Sequence, residues 1–160
     1  MKNIEIKTTV EVFDHIDELN IEDKNLLLAA HEYVNHAYAP YSKFQVGVAI
    51  RLKNNAIVGG SNLENAAYPM CTCAEPAALA AAASTHPNVP ILAMAVTVKN
   101  PDNPVEKPAA PCGACRQIIS EMEDRYQRAI PIILQGEKGL IYKVKSIKDL
   151  LPLSFGGSFL

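Results

Sequence analysis

Three cysteines place the tightest constraint on how this chain can fold. Cys112 and Cys115 form a C-x-x-C pair behind Pro111, and Cys73 stands 39 residues before Cys112 in Cys73-Ala74-Glu75. Together they offer three sulfur ligands to one ion, one fewer than a closed structural zinc site takes. The fourth tetrahedral position then stays open to water, as in a catalytic zinc site. Two segments distant in sequence must therefore lie side by side, and each is expected to open a helix. The free N–H groups and positive dipole end of a helix N-terminus stabilise the thiolate that a metal requires. Cys112 and Cys115 lie one turn apart on one helix face, so Cys73 must come from a second helix packed alongside. Glu75 is placed to move the protons of a water at the open position.

The parts of this pattern have other readings. C-x-x-C alone also occurs in redox motifs and structural zinc ribbons. A redox role leaves Cys73-Ala74-Glu75 without a purpose, and a structural site needs a fourth ligand. Cys71 is the cysteine that would supply it and close the open position; otherwise it is a small buried or half-buried thiol. His15, His31, His36 and His86 show no ligand spacing around the cysteines, and are expected to be solvated or to cap helices.

A 160-residue chain with 49% hydrophobic and 20% charged residues fits one globular domain. It is expected to span 1–160, with 1–18 as an N-terminal strand or arm and 19–160 as the catalytic core. No run of about 18 apolar residues and no apolar signal core occur, so a cytoplasmic protein without a membrane partner is expected. A net charge of −2 with no Lys/Arg run argues against a nucleic-acid partner and favours a small free substrate.

Periodicity orders the elements. Ile4–Phe13 reads as a strand or extended arm, and Asn20–His36 as a helix capped by Asn20 or Asp23. Phe44–Leu52 alternates as a half-buried strand, Lys53-Asn54-Asn55 turns, and Ala56–Gly60 returns as its hairpin partner. Pro76–Ser84, almost pure alanine and leucine, predicts a helix buried all round. Ile91–Lys99 reads as a strand covered on both faces, Asn100–Ala110 as a proline-rich loop, and Cys112–Arg125 as a helix. Ile130–Gln135 and Leu140–Val144 complete the strands, and Ser146–Leu151 is a short helix. This order predicts one α/β layered domain.

Five blocks resemble, in order, those of the homotetrameric zinc-dependent cytidine deaminase family. They are Ala39-Pro40-Tyr41-Ser42-Lys43-Phe44-Gln45-Val46-Gly47, Asn62-Leu63-Glu64-Asn65-Ala66-Ala67-Tyr68-Pro69, Cys73-Ala74-Glu75, Pro111-Cys112-Gly113-Ala114-Cys115-Arg116-Gln117 and Leu150-Leu151-Pro152. The resemblance covers about Tyr38 to Phe155. It implies a three-layer α/β/α sandwich with a mixed, roughly five-stranded sheet, a homotetramer, and one Zn²⁺ per subunit on Cys73, Cys112 and Cys115. The implied reaction is hydrolytic deamination of the pyrimidine nucleosides cytidine and 2′-deoxycytidine to uridine and 2′-deoxyuridine, with Glu75 carrying protons and ammonia leaving.

By matching position, the resemblance implies that Phe44 packs on the pyrimidine and that Asn62 and Glu64 bond the sugar hydroxyls. The backbone of Ala74 would recognise the base, and Tyr68 and Phe155 would be lent by a neighbouring subunit. The structural alternatives are core aromatics for Phe44 and Phe155, and turn stabilisation for Asn62. One departure stands out: Pro76 follows Glu75 where the family has an arginine placed to hydrogen-bond the sulfurs. Arg116 is the local cation left to compensate. The remodelled Met70-Cys71-Thr72 and Pro76 segment keeps a second substrate open, an N4-substituted cytidine or another aminated heterocycle. A non-catalytic, zinc-stabilised nucleoside-binding protein is the remaining alternative.

Overall fold

The computed structural model describes residues 1–160. Nine regular elements follow one another: β1 (Glu11–Phe13), α1 (Ile21–Val34), β2 (Gln45–Leu52), β3 (Ile57–Ser61), α2 (Ala74–Thr85), β4 (Ile91–Lys99), α3 (Gly113–Tyr126), β5 (Ile132–Gln135) and β6 (Ile141–Val144). The strands form one mixed sheet in the order β1-β6-β5-β4-β2-β3. Only β4 and β5 run parallel, with Met94 opposite Ile132 and Thr97 opposite Gln135. The connection between them carries α3, as a parallel pair requires.

Period-2 alternation divides the sheet's side chains between two cores. Val48, Ile50, Met94, Val96, Ile132 and Leu134 face Ala78, Leu79 and Ala82 of α2 and Ile119 of α3. Ala49, Ala93, Ala95, Ile133 and Ile141 face Leu26, Leu27 and Ala30 of α1. The result is the expected three-layer sandwich, with β4 covered on both faces. Asn20 caps α1 by accepting the Asp23 N–H at 2.9 Å, and Asn55 makes the β2–β3 turn at φ 66°.

Two glycines bring the helices close to the hairpin. A Cβ on Gly47 would lie 2.4 Å from the Ala30 carbonyl of α1. One on Gly60 would lie 2.4 Å from the Ala78 nitrogen and 2.8 Å from the Ala74 carbonyl of α2. The second contact seats the helix that carries Glu75.

The structure departs from the sequence reading in four places. The sheet has six strands, because Glu11–Phe13 pairs with Ile141–Lys143 at its edge; residues 4–10 form no strand. α2 is buried on one side only: Ala80 and Ala83 are exposed, since a single chain supplies nothing to cover them. Ser146–Leu151 shortens to a 3₁₀ turn, Ile147–Asp149, closed by a Ser146/Asp149 capping box. His31 is half-buried, its Nε2 2.9 Å from Gln135 Oε1, and is neither solvated nor a cap. His86 does occupy the C-cap of α2. No helix is long and apolar enough to cross a membrane.

Candidate active site

Both cysteine segments open helices. Cys73 is the N-cap of α2, and Cys112 is the N-cap of α3, where its Sγ accepts the Cys115 N–H at 3.5 Å. Pro76 falls in the first turn of α2, where an N–H has no helical partner to lose. The sulfurs of Cys73, Cys112 and Cys115 all lie within 4.8 Å of one another, Cys112 and Cys115 at 3.4 Å. Sulfurs held tetrahedrally at about 2.3 Å from one zinc stand about 3.8 Å apart, so small side-chain adjustments suffice.

The donor set asks for a cation. Burial, and then the negative charge of Glu75, push the Cys115 thiol far above its usual range. Burial, together with the charges of Cys112 and Glu75, also raises Cys73. Cys112 alone is lowered, chiefly by the backbone N–H of Cys115. Three thiolates beside a carboxylate are thus unfavourable without a divalent ion, and a zinc ion on the three sulfurs removes that conflict. Cys71 does not join them. It is exposed, and its Sγ accepts the Asn65 N–H at 3.2 Å, so it is not placed to be a fourth ligand.

Glu75 lies one residue inside α2 and is buried, with 5% exposure. Its Oε2 accepts from the Cys115 thiol at 3.3 Å. Both groups line a cleft of roughly 310 Å³, together with Cys73, Cys112, Phe44, Asn62 and Glu64.

Asn62 and Glu64 are fixed by backbone. Asn62 Nδ2 donates to the Phe44 carbonyl at 2.9 Å, and its Oδ1 accepts the Val46 N–H at 2.8 Å. Glu64 Oε2 accepts the N–H groups of Tyr41 (2.9 Å) and Ser42 (3.2 Å), and Oε1 accepts from the Ser42 hydroxyl. These bonds, the Ser42 hydroxyl first, hold the Glu64 carboxyl below its ordinary range. The segment between Asn62 and Cys73 is tied down by paired backbone bonds between Leu63 and Thr72, each 2.9 Å.

The other expected residues lie elsewhere. Ala74 is buried under the first turn of α2 and does not line the cleft. Tyr68 (73% exposed) and Phe155 (58% exposed) stand outside it, and Phe155 stacks on Phe159. Arg116 donates to no sulfur: its Nε and Nη1 bond the carbonyls of Pro111 and Leu150. Its charge therefore does not replace the hydrogen bonds of an arginine at position 76. Val46, Val98, Ala109 and Ala110 form cleft walls that sequence reasoning missed. Small apolar residues carry no chemical signal; only the Ala109-Ala110-Pro111 lead into Cys112 hinted at them.

Sulfur ligands that stop at three leave a zinc ion one position for water, so fold and site together define a zinc-dependent hydrolase. A family model described as the cytidine and deoxycytidylate deaminase zinc-binding region matches residues 20–129. The chain belongs to that family. It is 37% identical over 119 residues to a cytidine deaminase from Halalkalibacterium halodurans, covering 74% of this chain and 83% of that protein. It is 36% identical over 132 residues to one from Sporosarcina psychrophila, covering 82% and 90%. The crystal structure of cytidine deaminase from Burkholderia pseudomallei superposes with a TM-score of 0.73 at 34% identity, covering 86% of this chain and 100% of that one.

Proposed function

We propose that this chain hydrolyses cytidine and 2′-deoxycytidine to uridine and 2′-deoxyuridine, with Zn²⁺ on Cys73, Cys112 and Cys115. The observation that carries the reading is the buried Glu75 carboxylate lying against the sulfur group at the cleft. Bound zinc supplies Lewis-acid activation of a water at its open position. Glu75 takes one proton of the attacking water as the water oxygen bonds C4, and delivers that proton to ring N3. It then takes the remaining proton of the hydroxyl added at C4 as the C4 carbonyl forms, and passes it to the 4-amino group as the C4–N4 bond breaks and ammonia departs. A carboxylate suits this work because it accepts and donates in successive steps. Phe44 packs on the pyrimidine, and Asn62 and Glu64 receive the sugar hydroxyls.

Residues 19–160 act as one catalytic domain with 1–18 as an arm, and the working form is a homotetramer. Its support is the exposed outer side of α2 and the exposed Tyr68 and Phe155, which a neighbour's pocket would cover. Four free thiols suit the reducing cytoplasm.

The test pairs zinc analysis of the purified protein with ammonia release from cytidine and 2′-deoxycytidine and methylamine release from N4-methylcytidine. Glu75→Gln should retain one zinc per chain and lose about 10²- to 10⁴-fold in kcat. Unchanged turnover in that variant, or no ammonia from either nucleoside by the parent, would overturn the reading.

A further inference from the structure

Arg116 follows Cys115 on α3 and is half-buried. Its Nε donates to the Pro111 carbonyl at 2.8 Å and its Nη1 to the Leu150 carbonyl at 2.7 Å. Pro111 is buried and immediately precedes Cys112. Its carbonyl stands outside the helical ladder, so it needs a donor from elsewhere. Leu150 closes the Ile147–Asp149 turn, 34 residues along the chain from Arg116.

That turn is itself held by α3. Glu123, two turns beyond Arg116 and buried, accepts the Ile147 N–H at 3.0 Å and the Ser146 hydroxyl at 2.7 Å. Gln117 donates to the Phe155 carbonyl at 3.0 Å, and Lys148 pairs with Asp124 at 2.5 Å. The turn is therefore a fixed reference point, and the Arg116 fork measures the Pro111–Cys112 peptide against it.

We infer that Arg116 is a positioning residue for the metal centre, aiming the Cys112 sulfur through the Pro111 carbonyl. The inference rests on the three-sulfur zinc reading and not on the identity of the substrate. A planar fork reaches two carbonyls in fixed geometry, whereas a lysine ammonium is a point charge on a flexible stem. Charge alone therefore does not restore the arrangement.

The test follows zinc transfer from zinc-loaded protein to excess chromophoric chelator, with circular dichroism at the same temperature to show that each variant is folded. Arg116→Gln and Arg116→Lys are compared with Gln117→Ala, which cuts a different link between α3 and the C-terminal stretch. Zinc should leave both Arg116 variants faster, on the order of 10- to 100-fold, the usual effect of losing a group that orients a metal ligand. Gln117→Ala should release it at the parental rate. Parental release from folded Arg116→Gln overturns the inference, as does full rescue by lysine, which would make the effect one of charge. If Arg116→Gln does not fold, the lysine variant decides alone: fast release supports the fork and parental release refutes it. A parent that takes up no zinc overturns the metal reading instead, and its zinc content tells the two failures apart.

Discussion

Gly60→Ala tests whether the seat of α2 on the sheet sets the site. Gly60 has no positive φ, so alanine suits the backbone and the perturbation is purely steric. The added Cβ would sit 2.4 Å from the Ala78 nitrogen and 2.8 Å from the Ala78 Cα and the Ala74 carbonyl. Non-bonded heavy atoms of this kind rest at about 3.5 Å, so α2 must retreat by about 1 Å. Ala78 lies one turn from Ala74, and a hydrogen-bonded helix moves as a unit, so Cys73 and Glu75 shift with it. Metal sites hold their ligands to about 0.2 Å, and a 1 Å misplacement of a catalytic group costs about 10²-fold in rate. The fold should lose about 1–3 kcal/mol from overpacking. We therefore expect a folded variant with a lowered Tm, faster zinc loss to chelator and a kcat down about a hundredfold. Gly157→Ala, whose Cβ meets nothing within 4 Å, is the matched control and should change none of these. A Gly60→Ala protein with kcat within about threefold of the parent and normal zinc retention would show that α2 tolerates displacement, and would sink the argument.

Two further outcomes can be checked. Cys71→Ser should keep one zinc per chain by metal analysis, because that sulfur bonds the Asn65 backbone; loss of the metal would restore Cys71 as a ligand. The Glu64 carboxyl, lowered first by the Ser42 hydroxyl, should still be ionised at pH 4.5, its usual midpoint. Its bonds to Tyr41 and Ser42 hold above that pH and are lost only as pH falls through the lower folded value. Carboxyl-carbon NMR should show Ser42→Ala moving the midpoint back up, and an unmoved midpoint would mean that another donor dominates.

Much of the fold was legible because its signals are local. Ile91–Lys99 appears as read, since an uninterrupted apolar run has few other uses. Asn20 caps α1 because an amide side chain preceding a helix has a free N–H to accept. The cysteine pattern placed both metal-bearing helix starts. What the sequence hid depends on partners remote along the chain. The extent of the N-terminal strand is one case: of Ile4–Phe13 only Glu11–Phe13 meets β6 and pairs with it. The cleft walls Val98 and Ala109 lack chemical character of their own. Arg116 looked like a cation for the sulfurs, because nothing in its neighbourhood reveals a carbonyl 34 residues away.

Asn62 spends one amide proton on the Phe44 carbonyl and one lone pair on the Val46 N–H, so its side chain is held before any ligand arrives. A hydroxyl reaching the cleft meets a group whose rotamer freedom was surrendered during folding. Such preorganisation lowers the entropic cost of capture. In the proposed sugar contact it also narrows tolerance, because a sugar of different stereochemistry finds a dipole that will not turn to follow it.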